Sequence, residues 1–200
     1  AFLLNRSSDL FCYYGGKQRM AHQIVSMFPE HDTYVEPFFG GGAVFFAKRP
    51  SHIEVINDKN KILVNFFRVL RDTELRPQLF DRLALTPYSR DEFNLAREIL
   101  KSETADSVSL AWAWYVSIEM SFSKRQGSSW SFMNRNTRHL GRPKEFAAKI
   151  VGRINHKYQE RLQHAHIECD DAIKLIKRWD TERTLFYIDP PYVGADQGPY

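Results

Sequence analysis

The chain is poor in cysteine: Cys12 and Cys169 are its two, far apart and in no metal-ligand spacing. Neither a disulfide framework nor a zinc site can be built from them, which points to a reducing compartment, with the cytoplasm as the default location. It also lacks any apolar run of about 18 residues, and that excludes a membrane-spanning helix. The first residues, Ala1 to Asp9, place an Arg and an Asp within a short apolar stretch and do not read as a signal peptide. Internal repeats and low-complexity tracts are missing too. With 43% hydrophobic and 26% charged residues the composition is that of a folded domain rather than a disordered chain. The 200 residues suit one domain, or one domain carrying a small inserted one. A formal net charge of +4 is compatible with a polyanionic partner and does not require one.

What is present has a clear order. Thr33-Tyr34-Val35-Glu36 reads as a short buried strand, and Pro37 to Gly42 as a tight glycine turn. Ala43 to Lys48 then starts a helix that stops before Pro50, and Ile53 to Asn57 reads as a second strand ending at Asp58. Strand, glycine loop, helix, strand is the opening of a doubly wound α/β sheet. Apolar positions at Ile62, Leu63, Phe66, Phe67 and Leu70 predict a helix over Lys59 to about Leu70. Ser89 and Glu92 form a capping box that opens a helix to about Lys101. The stretch Ala105 to Met120, apolar on most sides, predicts a buried helix.

From Ser121 to Lys144 the chain contains no acidic residue but holds Lys124, Arg125, Arg135, Arg138, His139, Arg142 and Lys144 among polar residues, Trp130 and Phe132. Helical spacing returns from Glu145 to about Leu162. Strand-like segments follow at Ala165 to Cys169 and Thr184 to Ile188, with a helical stretch from Asp170 to Trp179 between them. The expected organisation is a sheet domain of residues 1–72 and 164–200, interrupted by a helical, basic insertion over residues 73–163.

Three segments carry chemistry. Asp189-Pro190-Pro191-Tyr192 follows directly on the last strand, and ligands of open α/β sheets gather at the carboxyl ends of strands. Two prolines fix the backbone and remove two donors, leaving carbonyls in set directions. A carboxylate and a proline carbonyl together can accept both hydrogens of an amino group and aim its lone pair at an electrophile. Tyr192 offers a flat face to a base. In Glu36 to Gly42 the glycines let a ligand approach the backbone closely. A second acid, Asp58, ends the next strand and suits ribose hydroxyls. The third glycine of the dinucleotide fingerprint is absent, which argues against NAD and for a nucleoside-type ligand without a pyrophosphate. Tyr13-Tyr14-Gly15-Gly16-Lys17 combines aromatics, a flexible turn and a lysine; alone it is compatible with a plain surface turn.

In this order and spacing, the aromatic-Gly-Gly-Lys, Glu-Pro-Phe-x-Gly-x-Gly and Asp-Pro-Pro-Tyr segments resemble the Dam-like class of DNA adenine N-6 methyltransferases. The resemblance implies a Rossmann-like sheet that binds S-adenosylmethionine, with an inserted target-recognition domain. Tyr13 and Lys17 would hold the methionine or adenine part of the cofactor. Glu36, Phe38, Gly40 and Gly42 would shape its loop, Asp58 would take the ribose hydroxyls, and Asp171 would lie near its adenine, with adjacent Asp170 an alternative register. Asp189 would border the cofactor and, with the Pro190 carbonyl, hold the target amine, with Tyr192 stacked on an adenine flipped out of double-stranded DNA. The implied reaction is direct transfer of a methyl group from sulfonium to amine nitrogen, with no metal. Phosphate contacts are expected from Lys124, Arg125, Arg135, Arg138 and Arg142.

The family's sheet continues past the Asp-Pro-Pro-Tyr segment with three further strands, and these carboxyl-terminal strands are missing from the sequence. The expectation is therefore a fragment, a product of a decayed gene, or a chain completed by another chain or by self-association. Two alternatives remain open at this point. The same tetrapeptide could serve cytosine amines or RNA adenines, and a truncated chain could be a catalytically silent DNA-binding module.

Overall fold

Four short apolar segments pair as parallel strands in the computed structural model, which describes residues 16–122, 124, 127–132, 141–153 and 156–191. They are β1 (Thr33–Glu36), β2 (Ile53–Asn57), β3 (His166–Glu168) and β4 (Thr184–Phe186), in the order β3-β2-β1-β4. Register aligns Thr33 with Ile53 and with Thr184, and Val55 with His166. All four strands fall within segments legible as strands in the sequence, and the central pair is the best covered: β1 is buried along its whole length and β2 over its last four residues. Parallel strands covered on both faces need no polar alternation.

Successive side chains nonetheless serve different layers. Tyr34 and Ile56 face a large core built with α1 (Ala21–Ser26), α2 (Ala43–Ala47), α3 (Lys61–Arg71) and the helices after them. Val35 and Val55 face the opposite way, onto Leu175 of α9 (Ala172–Trp179), with Ile53, Trp179 and Phe186 around them.

The helices start where side chains can accept the first N–H groups. The Asn60 carbonyl takes Ile62 N and Leu63 N at the head of α3. Ser89 Oγ takes Glu92 N at the head of α5 (Arg90–Ile99), and Asp106 takes Ser109 N at the head of α6 (Ser107–Glu119). Residues 111–119 of α6 are all buried, as its uniformly apolar sequence requires. Phe66 of α3 packs at 4.8 Å from Trp114 and stacks at 6.0 Å on Tyr115.

Three features differ from the sequence reading. A helix α4 (Leu75–Ala84) forms where no periodicity marked one. Its Pro77 sits in the first turn, where no intrahelical donor is needed, and Asp72 Oδ1 accepts from Glu74 N and Leu75 N. The helix expected from Glu145 to about Leu162 starts earlier, at Arg142, and is described as α7 (Arg142–Arg153) and α8 (His156–Gln163), with residues 154–155 outside the described residues. Finally, Ser121 and Trp130 form an antiparallel bridge, with Phe122 N donating to Ser129 O and Ser131 N to Met120 O. The helical segment after residue 73 and the sheet share one buried cluster that includes Phe66, Trp114, Tyr158 and Leu162.

Candidate active site

The carboxyl ends of all four strands carry acids: Glu36 on β1, Asp58 after β2, Asp170 and Asp171 after β3, and Asp189 after β4. The ends of β1 and β3 are tied to that of β2 by Asn57, which sequence reasoning passed over. Its amide donates to Pro37 O at 2.9 Å and Asp170 O at 3.1 Å, and its carbonyl accepts from Asp170 N at 2.8 Å. One buried side chain thus fixes the glycine turn against the end of β3. The only signal for it was a polar residue closing an apolar strand.

The glycine turn is then closed from two sides. Phe39 N donates to Asn57 O, and Gly40 N donates to Asp58 Oδ2 at 2.9 Å. Asn60 N takes the other oxygen of Asp58 at 2.9 Å. Gly40 and Gly42 have φ of 49° and 66°, a region that side chains disfavour. At Gly42 a Cβ would stand 2.4 Å from Phe39 Cζ, so glycine is required there on two counts. Of the two phenylalanines in the turn, Phe39 is buried among Phe45, Phe46 and Phe67, whereas Phe38 stays partly exposed beside the site.

Acidic side chains crowd this corner, and burial works against their ionisation. Glu36 is 3% exposed and accepts from Tyr34 Oη at 2.7 Å. Burial pushes its carboxyl up to about 8; the Tyr34 hydrogen bond opposes that rise and the nearby Asp189 charge adds to it. Burial also raises the Asp58 carboxyl, against the pull of its two backbone donors. Asp189 is held by Lys17, whose ammonium lies 2.9 Å from Oδ1 and 2.8 Å from Oδ2. The first and last expected motifs therefore meet directly. Pro190 follows at an exposed position, while Tyr13 and Tyr192 lie outside the described residues.

A model of the D12 class of N6 adenine-specific DNA methyltransferases matches residues 13–199, nearly the whole chain. The chain belongs to this family. It is similar over 59 residues, at 42% identity, to a type II methyltransferase, M1.LlaDCHI, of Lactococcus lactis subsp. cremoris. Over 63 residues it is 39% identical to a DNA N-6-adenine-methyltransferase of Escherichia phage P1. These stretches are 29% and 32% of this chain, and 20% and 8% of the relatives' own lengths.

Within this D12-class chain the remaining expected residues fall as follows. Asp171 caps α9, accepting from Ile173 N at 3.0 Å and Lys174 N at 3.1 Å. Asp170 pairs with Arg178 at 2.8 Å and is held below the usual carboxylate range by the N–H of Asp171 and by that guanidinium. Arg125, Arg135 and Arg138 lie outside the described residues, and Arg142 opens α7, partly buried. Lys124 is placed differently from a solvent-facing phosphate contact. Its backbone is left-handed, φ 56°, and its ammonium turns inward to the Glu119 carbonyl and, at 3.0 Å, to Glu119 Oε2. Lys149 reaches the same oxygen at 2.6 Å. The two ammonium groups hold Glu119 below the usual carboxylate range despite its burial. Near Lys124, Phe122 and Phe132 are left exposed.

Proposed function

We propose that the chain binds S-adenosylmethionine at the strand ends and methylates the exocyclic amine of adenine in duplex DNA. The observation that carries this reading is the apposition of the Asp189 carboxylate, at the end of β4, to the buried Glu36 and to Lys17. The residues present fit the cofactor. It has two cationic centres and a ribose diol, and the corner supplies the carboxyl groups of Glu36, Asp58 and Asp189, with Lys17 on Asp189. Glu36, Gly40, Gly42 and the exposed edge of Phe38 shape the loop, Asp58 takes the diol, and Asp171 borders the adenine. Lys17, with Tyr13, serves the methionine end. When bound, the cofactor supplies an electrophilic methyl group.

The protein's part is alignment and charge. Asp189 and the Pro190 carbonyl accept the two hydrogens of the target amine, so its lone pair points towards the methyl group without a strong base. Preorganised acceptors of this kind act without reorganisation at the moment of reaction. Tyr192 stacks on the base, which leaves the duplex at a cost of a few kcal/mol. Residues 1–72 and 164–200 perform the chemistry in this reading, and residues 73–163 address the DNA. The test is transfer itself: methyl-labelled cofactor should label unmethylated duplex DNA, and a folded chain that binds both partners yet transfers nothing would refute the reading.

Phosphate contact is assigned to Arg125, Arg135, Arg138 and Arg142, with Lys124 holding the turn through Glu119. Replacing Arg135 and Arg138 by alanine should reduce the slope of log affinity against log salt by about 2, roughly one per lost phosphate contact. An unchanged slope, measured by fluorescence anisotropy, would reject contact there.

A further inference from the structure

The acids at the strand ends are held by different kinds of group. Asp58 and Asp171 each accept two backbone N–H groups, and Asp189 takes the Lys17 ammonium. Glu36 leans on a phenol. Tyr34 and Glu36 stand two residues apart on β1, on the same face, and the hydroxyl donates at 2.7 Å inside the core. The ring of Tyr34 cannot turn away. Phe28 and His31 pack against it at 6.0 and 6.2 Å, and Lys48 Nζ lies 4.5 Å from its centroid. Lys48 is in turn fixed by Glu54 at 2.6 Å and by Ser51 Oγ and Arg49 O at 2.8 Å.

We propose that Tyr34 is a positioning residue for cofactor binding. Its hydroxyl holds Glu36 in place beneath the glycine loop and eases its ionisation, so that an arriving cationic cofactor draws a second carboxylate beside that of Asp189. The inference rests on the reading that this corner takes S-adenosylmethionine.

A hydrogen bond to a carboxylate favours its charged form, and burial opposes that form. With burial holding Glu36 at about 8, it is mostly protonated near neutral pH before the cofactor arrives, and the phenol lowers the cost of ionising it. The groups that act on it come from every neighbouring element. Tyr34 shares its strand, the Phe45 N–H and Lys48 belong to α2 and its end, and Asp189, with Lys17 upon it, follows β4. Glu54 of β2 and Tyr187 act on Tyr34 itself. Tyr34 is held far above the usual phenol range, chiefly by burial, so it remains a donor throughout. A cation arriving beside Glu36 draws it to the carboxylate, and the phenol makes that transition easier.

Calorimetric titration of the whole chain and of Tyr34→Phe tests this, with S-adenosylmethionine and S-adenosylhomocysteine, across the pH range bracketing the Glu36 midpoint of about 8. The variant keeps the ring and loses the donor. Its affinity for S-adenosylmethionine should fall about ten-fold near neutral pH, with a smaller loss for S-adenosylhomocysteine, which lacks the sulfonium charge. The rise of affinity with pH should move about one unit alkaline. The cofactor's own amine titrates alike in both proteins and drops out of the comparison. A variant of unchanged melting temperature whose affinity and pH profile match those of the unaltered chain would overturn the proposal.

Should the variant fail to fold, carbon NMR of the Glu36 carboxyl in the unaltered chain decides. Its midpoint should drop when S-adenosylmethionine is added, and a midpoint that does not move overturns the proposal. Absence of any cofactor binding by the unaltered chain is a separate result: it rejects the cofactor reading, and the inference falls with it.

Discussion

Methyl transfer by the Asp189→Ala variant is expected to fall by about a hundred- to a thousand-fold or more, the scale seen when one preorganised polar group is removed from a reacting centre. DNA affinity should stay nearly intact, because the change removes no positive charge. The expectation follows from placement. Asp189 is the first residue of a proline-fixed turn at the end of β4, the strand paired with β1, and Lys17 grips both its oxygens. Alanine removes the acceptor for the target amine and takes away the carboxylate that Lys17 grips. Single-turnover assays separate this loss from weaker cofactor binding. Turnover by the variant near that of the unaltered chain would sink the role assigned to Asp189.

The second large effect concerns stability. Glu54 is 1% exposed, and it meets two cations, Lys48 at 2.6 Å and the Arg161 guanidinium on both oxygens. Arg161 also donates to Phe45 O and lies over the Phe45 ring. Removing one member of a buried ion network leaves its partners charged and unpaired, which costs about 3–5 kcal/mol. Glu54→Ala should therefore lower the unfolding free energy by about that amount in urea titrations. Replacing Glu54 and Lys48 together by apolar residues should cost less, since fewer stranded charges remain. Lys48 and Arg161 hold Glu54 below its ordinary range despite burial, so its contribution is present above the unfolded-state pKa and is lost as the pH falls. A change below about 1 kcal/mol for Glu54→Ala would show that the network is not holding the sheet to α8.

Much of this architecture could be read before any coordinates. The strands were legible as short strand-like segments, each followed by an acid or a turn, although β3, His166–Glu168, is neither apolar nor fully buried. The helix α6 was legible because Trp112, Trp114 and Tyr115 sit among small apolar residues with no polar stripe. The helix α4 was not, because Pro77 and a weak apolar period mask a start that depends on Asp72. The core and the site set a different limit. Sequence gives the charge of Lys124 but not its partner, and Glu119, five residues earlier, looked like the polar end of an apolar helix. Asn57 reads as a strand terminator until its three hydrogen bonds are seen. Phe38 and Phe39 are equivalent on paper, and only the φ angles of the turn decide which ring enters the core.

The measurement that tests the account most directly is nucleoside analysis of duplex DNA after incubation with this chain and S-adenosylmethionine. Mass spectrometry of the digested DNA should show N6-methyladenine, formed at least about a hundred-fold more slowly when Asp189→Ala replaces the unaltered chain. Methylated cytosine in its place, or no methylated nucleoside from a folded chain that binds DNA in a salt-dependent way, would contradict it. The second of those results would leave a DNA-binding module in place of an enzyme.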